Sequence, residues 1–156
     1  MKKYEIVKKE IFSLLTSKQI EKMSEIALIK DFEPDQLVYE QKEVAKNLFI
    51  LLEGEVSLRV PSRNDTSIES LSLEIENLVQ YGTLFGTNLL FDVNRYMTRA
   101  LVIKPSKVMI LDAKKFLEII RENKSEFIVM SYLAKVYFQR YINAMKEFEE
   151  CAQQAK

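Results

Sequence analysis

The apolar positions of residues 6–28 recur at the three- and four-residue intervals of an amphipathic helix. Within this stretch, Thr16 is followed three residues later by Gln19, which is the capping-box pattern that starts a helix. We therefore expect two short helices, at residues 5–15 and 17–29. The apolar positions are Ile6, Ile11, Leu14, Leu15, Ile20, Met23, Ala27 and Leu28.

Between residues 32 and 111 the pattern changes to short runs that are typical of strands. Some runs are wholly apolar and others alternate apolar and polar residues, as buried and half-exposed strands do. Short strands with a turn about every 8–12 residues favour a sandwich or a barrel-like roll. The predicted strands are residues 47–52, 55–60, 68–75, 100–103 and 108–111; the predicted turns are residues 33–35, 53–55 and 104–107, with an exposed hairpin tip at 61–66.

From Asp112 onward the helical period returns. Asp112 is placed to cap a helix at residues 113–122, residues 123–125 mark a break, and a long helix follows at residues 125–153. The long helix carries an apolar seam whose steps alternate between three and four residues, as in a heptad repeat. The seam consists of Phe127, Met130, Ala134, Tyr137, Tyr141, Ala144, Phe148 and Cys151, with Leu133, Phe138, Ile142 and Met145 beside it.

A helix of about 29 residues spans roughly 43 Å, which is more than the core of so small a domain needs. Two arrangements account for its apolar seam. Either the whole helix packs on its own sheet, or it packs against the same helix of a second chain, which better explains its length and strict heptad. We expect one mainly β domain with flanking helices: N-terminal helices in residues 1–30, a β-roll in 31–112 and C-terminal helices in 113–156.

Composition narrows the classes of function. The 156 residues include 23 basic and 23 acidic side chains, no histidine and one cysteine, Cys151. A balanced charge argues against nucleic-acid binding by phosphate neutralisation. Without histidine, the commonest general base and metal ligand are missing, and one cysteine makes neither an intrachain disulfide nor a cysteine-rich zinc site. We therefore expect no catalytic residues, no metal site and no direct contact with nucleic acid.

Targeting signals are missing from the sequence pattern. Residues 1–10 form a charged mixture without the apolar core of a secretory signal. The longest central apolar run, residues 48–52, is far shorter than the roughly 20 residues of a membrane helix. The sequence predicts a cytoplasmic protein that does not bind membranes.

Three sequence elements resemble the cyclic nucleotide-binding domain of the catabolite activator protein family. LFILLEGEV at residues 48–56 is similar to its strand-Gly-strand element, GTLFG at 82–86 to its Gly-Asp-x-Phe-Gly turn, and DAKKF at 112–116 to the start of the helix after the last strand. All three glycines of the chain fall on glycine positions of that family. The resemblance implies a double-stranded β-helix, or jelly roll, followed by a long dimerisation helix, and it covers about residues 10–150.

The resemblance also implies a ligand site in GTNLLFDVNRYMTRA at residues 86–100. In the family, a glutamate after the glycine accepts a hydrogen bond from the ribose hydroxyl, and an arginine about ten residues later pairs with the cyclic phosphate. Here Thr87 occupies the glutamate position, Tyr96 the arginine position and Met97 the following Ser/Thr position. A loop shorter by one residue places Arg95 in the arginine position. The alternative is that Arg95 and Arg99 are solvated surface charges.

Two tyrosines of the long helix complete the candidate site. Tyr137 and Tyr141 lie where the family places residues over the nucleobase, and stacking there contributes about 1–3 kcal/mol; the alternative is that both belong to the dimer seam. Residues 86–100 are called the cassette below. Their side-chain hydroxyls and amides have two possible roles: they hydrogen-bond a ligand, or they cap turns and strands. The candidate ligand-binding residues are Gly86, Thr87, Asn88, Leu89, Arg95, Tyr96, Met97, Thr98, Tyr137 and Tyr141.

Two hypotheses from different classes follow. The first is a dimeric regulatory module that senses a small molecule, with cAMP or cGMP as the ligand and a degenerate phosphate-binding cassette. The second is an orphan dimeric scaffold that engages a protein partner and no longer binds cyclic nucleotide. A direct DNA contact is not expected, because the sequence contains no helix-turn-helix domain after the long helix.

Overall fold

A computed structural model describes residues 11–61 and 72–155 of the chain. Within them, the helices are α1 (Ser17–Ile26), α2 (Ala113–Arg121) and α3 (Ser125–Gln154), with short 3-10 turns at Ile11–Leu14, Asn88–Phe91 and Glu122–Lys124. The strands are β1 (Leu28–Phe32), β2 (Leu37–Tyr39), β3 (Asn47–Pro61), β4 (Ser72–Leu78), β5 (Thr83–Phe85) and β6 (Arg99–Asp112). The mainly antiparallel β fold with a long C-terminal helix confirms the predicted fold class.

The two long strands, β3 and β6, form the spine of the sheet. They pair antiparallel from Asn47 opposite Asp112 to Arg59 opposite Arg99. Strands β1 and β2 pair with β6, whereas β4 and β5 pair with successive halves of β3. The spine therefore extends through both halves of the roll.

Each long strand merges two shorter strands that the sequence predicted, and the predicted turns at 53–55 and 104–107 are wrong. Shifts of register between Leu51 and Val56 absorb the irregularity without ending the strand. Gly54 makes this possible with a φ of +104°. A Cβ atom at Gly54 would lie 2.2 Å from Oγ of Ser106, so the crossing of the two strands requires glycine.

The N-terminal segment also differs from the prediction. The capping box of Thr16 and Gln19 starts α1 as expected, but α1 ends at Ile26 because Ala27 is extended. The predicted helical residues 28 and 29 lie in β1 instead, where Leu28 pairs with Ile110. A 3-10 turn at Ile11–Leu14 replaces the end of the first predicted helix, and residues 5–10 lie outside the described residues, as does most of the predicted tip at 61–66.

Two apolar clusters lie on opposite faces of the sheet. One joins α1, α2 and α3 to the sheet and includes Leu48, Ile50, Leu111, Phe116 and Leu133. The other fills the interior of the roll and includes Tyr39, Phe49, Phe85, Tyr96 and Val108. Removing these side chains from water is the main favourable contribution to folding.

The junction between α2 and α3 fixes the direction of the long helix. Asp112 caps α2 as predicted, by accepting a hydrogen bond from the backbone N–H of Lys115. At the predicted break, Asn123 and Lys124 both adopt left-handed conformations, with φ of 55° and 61°. The buried side-chain amide of Gln19 donates to the carbonyl oxygens of Ile119 and Glu122, 3.1 Å away in each case. This junction holds α1 against the start of α3.

The long helix presents one face to the domain and leaves another exposed. Its buried face includes Val129, Leu133, Val136 and Arg140. Two residues of the predicted seam, Met130 and Tyr137, pack against the domain's own core, whereas most of the others are exposed. The exposed stripe is Phe127, Phe138, Tyr141, Met145 and Phe148. Of the helices in the described residues, none combines the length and apolar composition that a bilayer-spanning segment requires.

Candidate ligand-binding site

The loop between β5 and β6 begins with a sharp change of direction at Gly86. Its φ is +66°, and a Cβ atom there would lie 2.7 Å from the ring of Phe49 and 3.1 Å from that of Tyr39. Glycine is therefore required both by the backbone conformation and by the close approach of two aromatic rings. The 3-10 turn at Asn88–Phe91 follows and ends at Asp92, which is left-handed.

A hydrogen bond connects this loop to the long helix. Oγ1 of Thr87 lies 2.6 Å from the hydroxyl oxygen of Tyr137 in α3, and Thr87 is only 1% exposed. The ring of Phe91 packs edge-on against that of Tyr137 at 5.3 Å between centroids. The structure thus brings together two residues that the sequence placed in one site, Thr87 and Tyr137.

The two arginines of the loop have different environments. Arg95 is exposed, and its Nη1 donates to the carbonyl oxygen of Lys42 at 2.7 Å. Arg99 is buried, and its Nε donates to the carboxylate of Glu40 at 2.9 Å. The interpretation of Arg99 as a solvated surface charge is wrong, because β6 begins at Arg99 and turns its side chain towards Glu40.

Stacked aromatic rings occupy the roll interior beside the loop. The ring centroids of Tyr39 and Tyr96 are 4.1 Å apart, and those of Tyr39 and Phe49 are 5.4 Å apart. The hydroxyl of Tyr96 donates to the carbonyl oxygen of Asn47 at 2.7 Å. Burial raises the pKa of Tyr96 to about 12, and burial likewise raises the pKa of Tyr39 above its usual range. Both phenols are therefore neutral at ordinary pH.

The remaining predicted site residues divide between the interior and the surface. Thr98 is half-buried and its hydroxyl lies 3.0 Å from that of Tyr39. Leu89 packs against both apolar clusters, and the carbonyl oxygen of Asn88 closes the 3-10 turn. Met97 and Tyr141 are exposed, at 61% and 60%.

A charged residue of α3 that the sequence analysis did not select lies beside Tyr137. Arg140 is 7% exposed, and its guanidinium carbon lies 5.4 Å from the ring centroid of Tyr137. Its Nε donates to the carboxylate of Glu76 in β4. Its Nη2 is buried and has no hydrogen-bond partner among residues 11–61 and 72–155.

A groove of about 1030 Å³ runs between β4 and α3. Its apolar lining includes Ile75, Val79 and Ile142, and the carboxylate-bearing Glu76 also lines it. Glu76, the partner of Arg140, therefore also lies on the wall of this groove.

The protein family described as "Cyclic nucleotide-binding domain" matches residues 29–123, which include β1 except its first residue, β2 to β6 and the loop at Gly86. The chain belongs to the cyclic nucleotide-binding domain family. The match confirms the resemblance that the glycine positions and strand motifs indicated. No curated protein sequence matches the chain significantly.

Solved structures similar to this cyclic nucleotide-binding domain show the same fold. A putative cyclic nucleotide-binding protein from Geobacter metallireducens is 24% identical, with a TM-score of 0.67 over 90% of this chain and 99% of that one. The catabolite activator protein of Thermus thermophilus is 17% identical, with a TM-score of 0.63 over 88% and 61%. The regulatory domain of Toxoplasma gondii PKA, crystallised with cAMP, is 15% identical, with a TM-score of 0.65 over 80% and 45%.

The sequence held one signal for Arg140. In α3 of this cyclic nucleotide-binding domain, Val129, Leu133, Val136 and Arg140 follow one another at steps of four, three and four. Arg140 thus continues an apolar face where a hydrophobic residue is the usual choice. A charged side chain at a core position indicates a specific partner, and Glu76, 64 residues earlier in the chain, is that partner.

Proposed function

We propose that this chain is a dimeric regulatory module that senses a small molecule, and that its ligand is a cyclic nucleotide, cAMP or cGMP, bound by a degenerate cassette. The observation that carries the proposal is the 2.6 Å hydrogen bond between Thr87 and Tyr137. It connects the loop that holds the ligand in this family to the helix that would transmit the signal.

Coupling between ligand and helix follows from that bond. A ligand shifts a conformational equilibrium only by its difference in affinity for the two states. A ribose hydroxyl that bonds to Thr87 competes with Tyr137 for the same oxygen. Binding would therefore weaken the tie between loop and α3 and favour another position of the helix.

The cassette is proposed to be degenerate because of the residues at its glutamate and arginine positions. Thr87 supplies a neutral hydroxyl where the family has a carboxylate, and Arg95 bonds to Lys42 at the outer edge of the loop. Loss of a charged partner to a buried phosphate costs about 3–5 kcal/mol, which is two to three decades or more in affinity. We expect binding in the millimolar range where intact cassettes reach the micromolar range.

The exposed stripe of α3 supports a homodimer. Phe138, Tyr141, Met145 and Phe148 recur at steps of three and four residues and remain exposed in a single chain. Pairing with the same helix of a second copy would bury them. We further propose that the protein is not an enzyme, is cytoplasmic, and contacts neither nucleic acid nor membrane directly.

The stacked rings favour a second candidate function, a dimeric scaffold that no longer binds cyclic nucleotide. Tyr39, Phe49 and Tyr96 occupy the roll interior beside the cassette. If they do not move, a nucleotide has no room against the loop, and the exposed surfaces would bind a protein partner instead.

Isothermal titration calorimetry with millimolar cAMP and cGMP separates the two candidates. Saturable heat with either nucleotide supports the sensor. A complete lack of heat with both, for a protein that is folded by circular dichroism, contradicts the sensor and supports the scaffold.

A further inference from the structure

Arg140 has the chemical character of an unfilled anion site. Its guanidinium is buried in the domain, and among the described residues its carboxylate partner is Glu76, bonded through Nε. The buried Nη2 has no acceptor in the described part of the chain. A buried donor without an acceptor is destabilising by about 1–3 kcal/mol, and more for a charged group, so such groups are rare in stable cores.

The surroundings of Arg140 connect it to the cassette. Its guanidinium lies over the ring of Tyr137, whose hydroxyl reaches Thr87. Burial raises the pKa of Tyr39, while the hydrogen bond with Thr98 and then the positive charge of Arg140 act in the opposite direction. Arg140 is therefore close enough to the roll interior to act on groups beside the loop.

The carboxylate of Glu76 is positioned so that a competing anion can displace it from Arg140. Its side chain is 28% exposed, whereas that of Arg140 is 8% exposed. Because Glu76 also lines the groove between β4 and α3, its carboxylate is hydrated at little cost when it separates from Arg140. Arg140 has no comparable access to water and needs a new partner.

We propose that Arg140 of α3, rather than a loop arginine, binds the anionic group of the ligand, and that this anion displaces the carboxylate of Glu76. The ligand class is a small monoanion with phosphate or carboxylate oxygens, which fit Nη2 and Nε of one guanidinium. The inference rests on the proposed sensor function and specifies which residue of the site recognises the charge. Binding at Arg140 places the ligand's charge directly on the long helix.

The test measures cAMP affinity by calorimetry in four variants of the full chain. Arg140→Gln removes the proposed site and is expected to abolish the saturable heat of cAMP binding. Glu76→Gln removes the competing carboxylate and is expected to tighten binding by about tenfold. Arg121→Gln is the matched control, because Arg121 also pairs through Nε with a glutamate, Glu126, but is exposed. Arg95→Gln tests the loop arginine.

The outcomes separate this inference from the proposed function. If cAMP binds and Arg95→Gln abolishes binding while Arg140→Gln does not, the inference is overturned and the sensor stands. If Arg140→Gln does not fold by circular dichroism, Glu76→Gln decides, and an affinity no higher than that of the unaltered protein overturns the inference.

If neither cAMP nor cGMP binds the unaltered protein or Glu76→Gln, the sensor proposal fails. Inorganic phosphate then replaces the nucleotide, and the melting temperature is measured. A phosphate-dependent rise that is larger in Glu76→Gln and lost in Arg140→Gln supports an anion site at Arg140. An equal response in all three proteins overturns it.

Discussion

Gln19 and Ser125 lie 106 positions apart in the sequence and form a buried pair of hydrogen bonds. Nε2 of Gln19 donates to Oγ of Ser125 at 3.0 Å, and Oγ donates back to Oε1 at 3.1 Å. The same amide bonds to the end of α2, so one side chain ties α1 to the kink before α3. The direction of the long helix therefore depends on a residue of α1.

Replacing Gln19 with alanine should lower the free energy of unfolding by about 2–3 kcal/mol, because it removes the buried hydrogen bonds of the Gln19 amide to Ser125, Ile119 and Glu122. Urea unfolding followed by circular dichroism measures the change. Gln41→Ala is the control, since Gln41 makes one exposed hydrogen bond to Met97, and its effect should stay below about 0.5 kcal/mol. Equal effects in both variants would contradict the role given to Gln19.

Gly86→Ala should destabilise the protein by about 2–3 kcal/mol, because the new methyl group meets the ring of Phe49 at a positive φ. If the clash contributes, the double variant with Phe49→Leu will lose less stability than the two single variants combined. Simple additivity in urea unfolding would show that the ring is not the obstacle.

Thr87→Val and Tyr137→Phe should each cost about 1 kcal/mol of stability, since each removes one partner of the same hydrogen bond. A double-mutant cycle should give a coupling energy of about 0.5–1.5 kcal/mol. Zero coupling would mean that loop and helix are not linked through this pair.

Tyr141→Glu should convert the proposed dimer to monomers in sedimentation equilibrium, because it places a charge in the exposed stripe of α3. Gln139→Glu introduces the same charge two residues away, on a different side of the helix, and should leave the mass unchanged. A dimer that persists with Glu at position 141 would count against pairing through this stripe.

Stability should fall as the pH rises from about 10 to 12. Burial raises the pKa of Tyr96 to about 12 from the value of 10.0 for an unfolded chain, so its neutral form is favoured by folding. That contribution is fully present below pH 10 and is lost as the pH approaches 12, at up to about 1.4 kcal/mol per pH unit. Urea unfolding at several alkaline pH values should show a shallower slope for Tyr96→Phe.

Local signals in the sequence predicted the elements that depend on neighbouring residues. The capping box at Thr16 and the cap at Asp112 each join residues three positions apart, and the break at Asn123 lies in that residue's own backbone conformation; all three are present. Leu28 and Ile29 were misassigned because an apolar pair fits the end of a helix and an edge strand equally well. Pairing with β6, which is remote in the sequence, decides between them.

The candidate site was harder to predict because its contacts are long-range. Family spacing placed Thr87 and Tyr137 in one site, and they meet. The same spacing could not show that Arg95 bonds to Lys42 or that Arg140 pairs with Glu76, since neither partner lies near in sequence. Periodicity places Arg140 on the apolar face of α3, but its pairing with Glu76 follows only from the packing of α3 on β4.

Strand β3 serves both apolar clusters through alternate side chains. Leu48 and Ile50 point to the cluster beneath the helices, while Phe49 and Leu51 point into the roll. One face of β3 thus lines the interior of the roll, where a ligand would bind, and the other face packs against α2 and α3. Any shift of β3 that makes space beside Phe49 therefore also moves Leu48 and Ile50 against the helices. The strand alone would transmit the change from one cluster to the other.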